Sequence, residues 1–299
     1  MMKPQPEETM RLIAACAALI LTVAPAAGQM PSTDIFVADL RIDGRTIDIG
    51  TPRNATARQG YDNQPWFLRD GSGFLYNADV GGQTEIFRFD LGMWTATRLT
   101  ETPENEFSPS LTADGTMLVV RWPADMSTGA LWRYTSAGAP IGEHPASVER
   151  VGYYGVADDA GLAFFVNDSA RTFKVVTASG EERTILRGLA GSPPQHIPGT
   201  RAVSFMMPAD DGQIWIHRLD LASGDIERIA PRVGETLSYA WLPGNMLLMP
   251  GGNAVYALDS AQGGEWREVA RFDGADLASI VRIAVSAAGD RVALVAEQP

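Results

Sequence analysis

The side chains with the most obvious capacity for metal or nucleophile chemistry are few: His144, His196, His217 and a single cysteine, Cys16. No two of the histidines stand at ligand spacing and no His-Glu-x-x-His pattern occurs, whereas a zinc site needs three or four convergent donors. A serine hydrolase exposes its nucleophile on a strained Gly-x-Ser-x-Gly turn, and that turn is missing from the sequence. Asp62, Glu104 and Glu106 precede apolar segments and offer carboxylates of the kind glycosidases pair across a scissile bond. The adjacent Asp158 and Asp159 lack the ligand spacing of a calcium loop. The expectation is no catalytic motif, no metal and no cofactor. Glu106, His196 and Arg282 are the set that would supply acid, base and cation if the chain were a hydrolase or lyase.

What positions these groups is a repeat. An extended apolar strand, a polar glycine-containing turn and a second short strand recur six times, with aromatics aligned at Phe36, Phe87, Trp132, Phe173, Trp215 and Tyr256, spaced by 51, 45, 41, 42 and 41 residues. A period of roughly 40–50 residues marks propeller blades, and the period-2 alternation within each unit is that of antiparallel strands. Between these hairpins lies a second one, turning around Gly71, Gly115, Gly161, Gly199, Gly244 and Gly289, where tight hairpins need residues free to take positive φ. Two hairpins make one four-stranded blade. The segment Asp34 to Gly50 has only an outer hairpin and Ile283 to Glu297 only an inner one, so the two chain ends are expected to complete one blade together. The predicted fold is all-β: a six-bladed β-propeller of four-stranded antiparallel blades, occupying residues 29–299, with its closing blade shared between the termini. Closure leaves no free sheet edge.

In a propeller the innermost strands begin at one face of a central channel. The residues beside those starts are Asn63 and Gln64, Glu106 and Ser108, Tyr153 and Tyr154, Gln195 and His196, Tyr239, and Arg282. Aromatics and arginine are enriched in binding hot spots, so this set is the candidate ligand- or partner-binding ring. The competing placement, for the tyrosines above all, is packing between blades. His217, within Ile-Trp-Ile-His, is expected to be a packed or sheet-surface histidine. Trp94 and Trp266 are expected to pack on neighbouring blades.

The stretch from about Asp62 to Val120 resembles the WD-like repeats of the TolB-type propeller superfamily. Pro65, Phe67, Asp70, Gly71, Ile86, Asp90, Arg98, Leu99 and Thr100 fit its inner-strand, outer-strand and Arg-Leu-Thr pattern, and Ser108, Pro109, Asp114 and Gly115 begin the next copy. The resemblance implies the fold and an exported location. It implies function less closely, because members range from periplasmic protein-binding subunits to non-catalytic propellers attached to peptidases and amidohydrolases. TolB proteins also carry an amino-terminal α/β domain for which the sequence has no counterpart, and fold alone does not assign a site.

Residues 1–28 have a different character. The apolar run Leu12 to Val23 is 12 residues long, followed by Pro25-Ala26-Ala27-Gly28, the anatomy of a cleaved secretory signal and short of the roughly 20 residues a membrane span needs. Cys16 lies inside that run, which argues against a lipid anchor there. The acidic Glu7 and Glu8 before the run point to Met10 as the true start. Formal net charge is -12, and the signal carries as many acids as bases, so the mature chain keeps it. Nucleic acid is excluded as a partner, since binding a polyanion requires clustered cations. Lys174 is the only lysine beyond residue 28, leaving arginine as the working cation. The function these features favour is an exported, monomeric, non-catalytic propeller that holds a protein or peptide at its channel mouth and rim loops. The alternative is a periplasmic hydrolase or lyase acting on a small sugar, lactone or peptide in the channel.

Overall fold

In the computed structural model, residues 30–157, 161–262 and 264–299 are described. The expected signal segment with Cys16 lies outside the described residues, as do Asp158 and Asp159. The alternating segments form short antiparallel strands in six sheets. The first complete blade contains β4 (Asp62–Phe67), β5 (Gly73–Asp79), β6 (Thr84–Asp90) and β7 (Thr95–Arg98). The second has β8 (Asn105–Leu111), β9 (Met117–Trp122), β10 (Ala130–Tyr134) and β11 (Pro140–Glu143). The third has β12 (Val151–Val156), β13 (Gly161–Val166), β14 (Thr172–Thr177) and β15 (Glu182–Leu186). The fourth has β16 (Gln195–His196), β17 (Ala202–Pro208), β18 (Ile214–Asp220) and β19 (Ile226–Pro231). The fifth has β20 (Ala240–Leu242), β21 (Met246–Gly251), β22 (Ala254–Asp259) and β23 (Arg267–Arg271). Each blade runs from its inner to its outer strand in chain order.

The sixth blade is made from both ends, as the half-repeats require. β24 (Ile280–Val285) and β25 (Arg291–Glu297) supply its inner hairpin, and β1 (Thr33–Asp43) with β2 (Thr46–Ile49) supplies the outer one. β1 pairs with β25 through seven partners from Thr33↔Glu297 to Asp39↔Arg291, then turns to pair with β2 from Leu40 onward. A short extra strand, β3 (Arg53–Asn54), adds to the outer edge of β1 at Phe36 and Val37. The closure extends past the strands: Ser32 Oγ donates to Gln298 Oε1 at 2.6 Å, and Gln298 Nε2 donates to the Arg58 carbonyl at 2.6 Å.

Strand side chains alternate between the two faces of a blade, and both faces of every blade are covered by a neighbour. The buried apolar residues accordingly divide into six clusters, one in each gap. Phe36, Leu248 and Leu294 share the gap between the fifth and closing blades, and Ile35, Phe74, Phe89 and Val295 share that between the closing and first. Leu118, Val120, Phe164 and Val166 fill the gap between the second and third, Phe173 and Phe205 that between the third and fourth. Trp266 donates its indole N–H to the Pro231 carbonyl of the adjacent blade at 2.8 Å, and Trp94 packs with Phe89 in the closing-blade gap.

Candidate functional site: the mouth of the central channel

The innermost strands are irregular where the site lies. Register shifts interrupt β4 between Asn63 and Trp66, β8 between Phe107 and Ser110, β12 between Val151 and Tyr153, and β24 between Ile280 and Arg282. A bulge leaves one or two residues unpaired and re-aims their side chains. In β4 and β8 the bulged residues Gln64 and Ser108 take φ values of 55° and 52°, a region non-glycine residues seldom occupy, and each precedes a proline.

Bulged backbone needs new hydrogen-bond partners, and the neighbouring blade supplies them. Gln64 Oε1 accepts from the Ser108 N–H at 2.6 Å and from Ser108 Oγ at 3.2 Å. The Tyr154 hydroxyl sits 2.9 Å from the Ser108 carbonyl, 3.0 Å from the Leu118 carbonyl and 2.6 Å from Ser110 Oγ. Gln195 Nε2 donates to the Tyr239 carbonyl at 2.5 Å, while the Tyr239 hydroxyl and the Trp241 indole N–H both donate to Ser204 Oγ at 2.8 Å. Thr236 Oγ1 donates to the Val281 carbonyl at 2.9 Å and the Ile283 N–H to Ser238 Oγ at 3.1 Å. Burial drives the phenol pKa of both Tyr154 and Tyr239 far up, so these two hydroxyls act as neutral cross-blade ties. His196 Nε2 lies 2.6 Å from the Thr200 carbonyl across the turn after β16, which places a proton on that nitrogen.

Glu106 takes a position the sequence did not announce. It is fully buried, in the gap between the first and second blades. Tyr134 donates its hydroxyl to Oε1 at 2.5 Å, Thr102 Oγ1 donates to the same atom at 3.3 Å, and Thr100 donates to Oε2. Burial raises the Glu106 carboxyl above the ordinary range, opposed by Thr100 and Tyr134 and reinforced by neighbouring Glu85. The reason for its inward placement is pleat: on β8 the residues flanking Glu106 are half-buried while Glu106 turns between blades. Glu104 pairs with Arg121 at 2.5 Å and Asp62 with Arg58 at 2.5 Å. All three carboxylates with catalytic potential are thus engaged by protein partners.

Arg282, Asn63 and Tyr153 behave differently. Arg282 Nε donates to Asn63 Oδ1 at 2.7 Å, joining the closing blade to the first; the same oxygen accepts from the Gln64 N–H at 2.8 Å. The guanidinium carbon lies 5.8 Å from the ring centre of Tyr153, within cation–π range. Tyr153 belongs to the innermost strand of the third blade, opposite the closing blade, so this contact spans the channel. Among the described residues Arg282 forms no ion pair, and its terminal nitrogens make no hydrogen bond.

Two further residues join this group, and sequence reasoning did not reach them. Tyr61 immediately precedes β4; burial pushes its phenol up to about 12, with the positive charge of Arg282 as the strongest opposing influence and Tyr153 adding to the rise. Asn77 on β5 is the register partner of Asn63, so their side chains share one face of the blade. Its amide is fully buried, and neither its nitrogen nor its oxygen makes a hydrogen bond of ordinary geometry, although it lies near enough to the Tyr61 hydroxyl to ease that phenol's pKa downward. A strand register is needed to place Asn77 beside Asn63; Tyr61 was accessible as the residue before Asp62.

His217, by contrast, is a packed residue. It is 3% exposed, stacks on Phe205 with ring centres 5.4 Å apart, and burial lowers its pKa. Among the described residues no group of three or more His, Cys, Asp or Glu is placed to hold a metal ion, and no helix is long and apolar enough to cross a membrane.

No protein-family model matches the sequence, and no curated protein does. Solved structures do. A protein from Agrobacterium tumefaciens provisionally named TolB superposes with a TM-score of 0.64 at 16% identity, over 90% of this chain and 99% of that one. TolB from Acinetobacter baumannii superposes with a TM-score of 0.55 at 13% identity, over 89% of this chain and 64% of that one, so this chain spans less than two thirds of it. A puromycin hydrolase superposes with a TM-score of 0.54 at 16% identity, over 85% of this chain but only 47% of the hydrolase. At these identities the likeness concerns architecture, and the architecture is that of a TolB-like six-bladed β-propeller.

Proposed function

We propose that this chain is an exported, non-catalytic binding propeller that holds a protein or peptide partner at the mouth of its central channel. The observation that carries the reading is the state of the polar groups there. Glu106, Asp62 and Glu104 are consumed by structural partners, whereas Arg282 and Tyr153 face one another across the channel with the outer edge of the guanidinium open. An open cation beside aromatic rings is a recognition device. A hydrolase or lyase would require Glu106, His196 and Arg282 to converge on one substrate; no hydrogen bond or ion pair joins them, and Glu106 is sealed between blades. The signal-like segment in residues 1–28 supports export.

The test is capture from an envelope fraction of the producing cell by the mature protein, compared with Tyr153→Ala and with Met93→Ser, an exposed site on an outer turn. A partner retained by wild type and Met93→Ser but reduced at least about tenfold by Tyr153→Ala fits a mouth-centred interface. Capture insensitive to Tyr153→Ala would move the interface elsewhere and end the proposal.

A further inference from the structure

Resting on that reading, we infer that the partner is held by a carboxylate, which docks end-on against the open edge of Arg282 at the channel mouth, flanked by Tyr61, Tyr153 and Asn77. Four observations converge on it. First, Arg282 uses only Nε within the protein, on Asn63; that bond fixes the guanidinium plane and leaves the two terminal nitrogens, the edge that engages carboxylates in a fork. Second, this arginine is half-buried and forms no ion pair among the described residues, in a protein with net charge -12 where most of the arginines that do have an ion partner meet it on the surface. Leaving a desolvated cation unpaired is costly, and an incoming anion removes that cost. Third, the Tyr61 hydroxyl lies close enough to Arg282 and Tyr153 to feel the charge of the one and the phenol of the other, so two phenols flank the cation. Fourth, the Asn77 amide is fully buried with both polar atoms unpartnered, and a buried polar group without a partner costs about 1–3 kcal/mol. It lies beside the Tyr61 hydroxyl, which with Tyr153 provides two phenol O–H groups next to the cation.

The stoichiometry of the site favours a carboxylate over a phosphate. One guanidinium supplies one positive charge and one two-pronged edge, which balances a monoanion with two coplanar oxygens. A phosphate ester carries close to two negative charges and three acceptor oxygens, and would need a second cation that the mouth does not provide. The carboxylate can come from an acidic side chain or from a chain terminus, since both present the same group.

Three probes separate these sources: acetyl-Ala-Asp-amide with only a side-chain carboxylate, acetyl-Ala-Ala with only a terminal one, and acetyl-Ala-Asn-amide with neither. Each is titrated into the full mature protein while the Arg side-chain Nε–H signals are followed by NMR. The expected result is a saturable shift of the Arg282 signal with one or both carboxylate probes, at least about tenfold tighter than with the amide. Arg282→Gln should abolish the preference. Because that change also removes the tie to Asn63, Arg282→Lys serves as a second variant: it keeps the charge, loses the fork, and should bind several-fold more weakly while still preferring a carboxylate. Equal binding of the Asn probe, with both lost in Tyr153→Ala, would leave a peptide-binding mouth but overturn the carboxylate. Absence of any shift at Arg282 with every probe would overturn the carboxylate, and if Tyr153→Ala also leaves partner capture intact, the mouth reading falls with it.

Discussion

Asp62 shows how burial and pairing compete at one side chain. Its carboxylate is fully buried, with Oδ1 on Arg58 and Oδ2 unpartnered. Desolvation outweighs the attraction of Arg58 and lifts the carboxyl from its ordinary 3.8 to about 6. The folded chain therefore keeps a proton that the unfolded chain releases between those values. Its contribution to stability is complete below the lower value and is lost as pH rises through the upper one, by about 3 kcal/mol for two pH units. Glu106, raised for the same reason, tilts stability in the same direction. Asp62→Asn should flatten this fall: the difference in urea midpoint between about pH 4 and pH 8 should shrink relative to wild type. An unchanged difference would show that Asp62 ionises freely in the folded protein.

At the scale of elements, polar ties near the channel join the blades from Gln64–Ser108 round to Arg282–Asn63. Between the third and fourth blades the backbones also come very close. A Cβ on Gly155 of β12 would stand 2.3 Å from the Pro194 carbonyl oxygen, so only glycine allows that approach. Gly155→Ala should cost about 1–3 kcal/mol in denaturant unfolding, whereas exposed Gly274, where an added Cβ meets nothing within 4 Å, should tolerate alanine within about 0.5 kcal/mol. Equal effects would mean that the third and fourth blades can separate at little cost. The hairpins themselves were legible because each turn glycine and each alternating run is a local signal. The bulges were not, because Gln64 and Ser108 adopt left-handed backbone in response to the neighbouring blade, and pairwise contact of that kind leaves no trace in a single repeat. The same limit explains the site: Arg282 and Tyr153 were named from their position at strand starts, but the inward turn of Glu106 and the arrival of Asn77 depend on pleat and register.

For the whole molecule, the decisive bond is between the ends. β25 lies between β24 and β1 in the closing sheet, and removing residues 291–299 would free an edge on each. Such a truncation should lose the single cooperative thermal transition and elute as oligomers in size-exclusion chromatography, since unpaired edges recruit other chains. A monomeric truncated protein with a sharp transition would show that five blades suffice. The seam between β1 and β25 also sets an order of events. The first strand of the propeller has no inner neighbour until the last one has been made, so a chain emerging from the ribosome amino end first carries β1 unsatisfied for nearly its entire synthesis. Completion of the ring is thus timed by the strand made last, and until then the chain stays loose enough to be drawn out again.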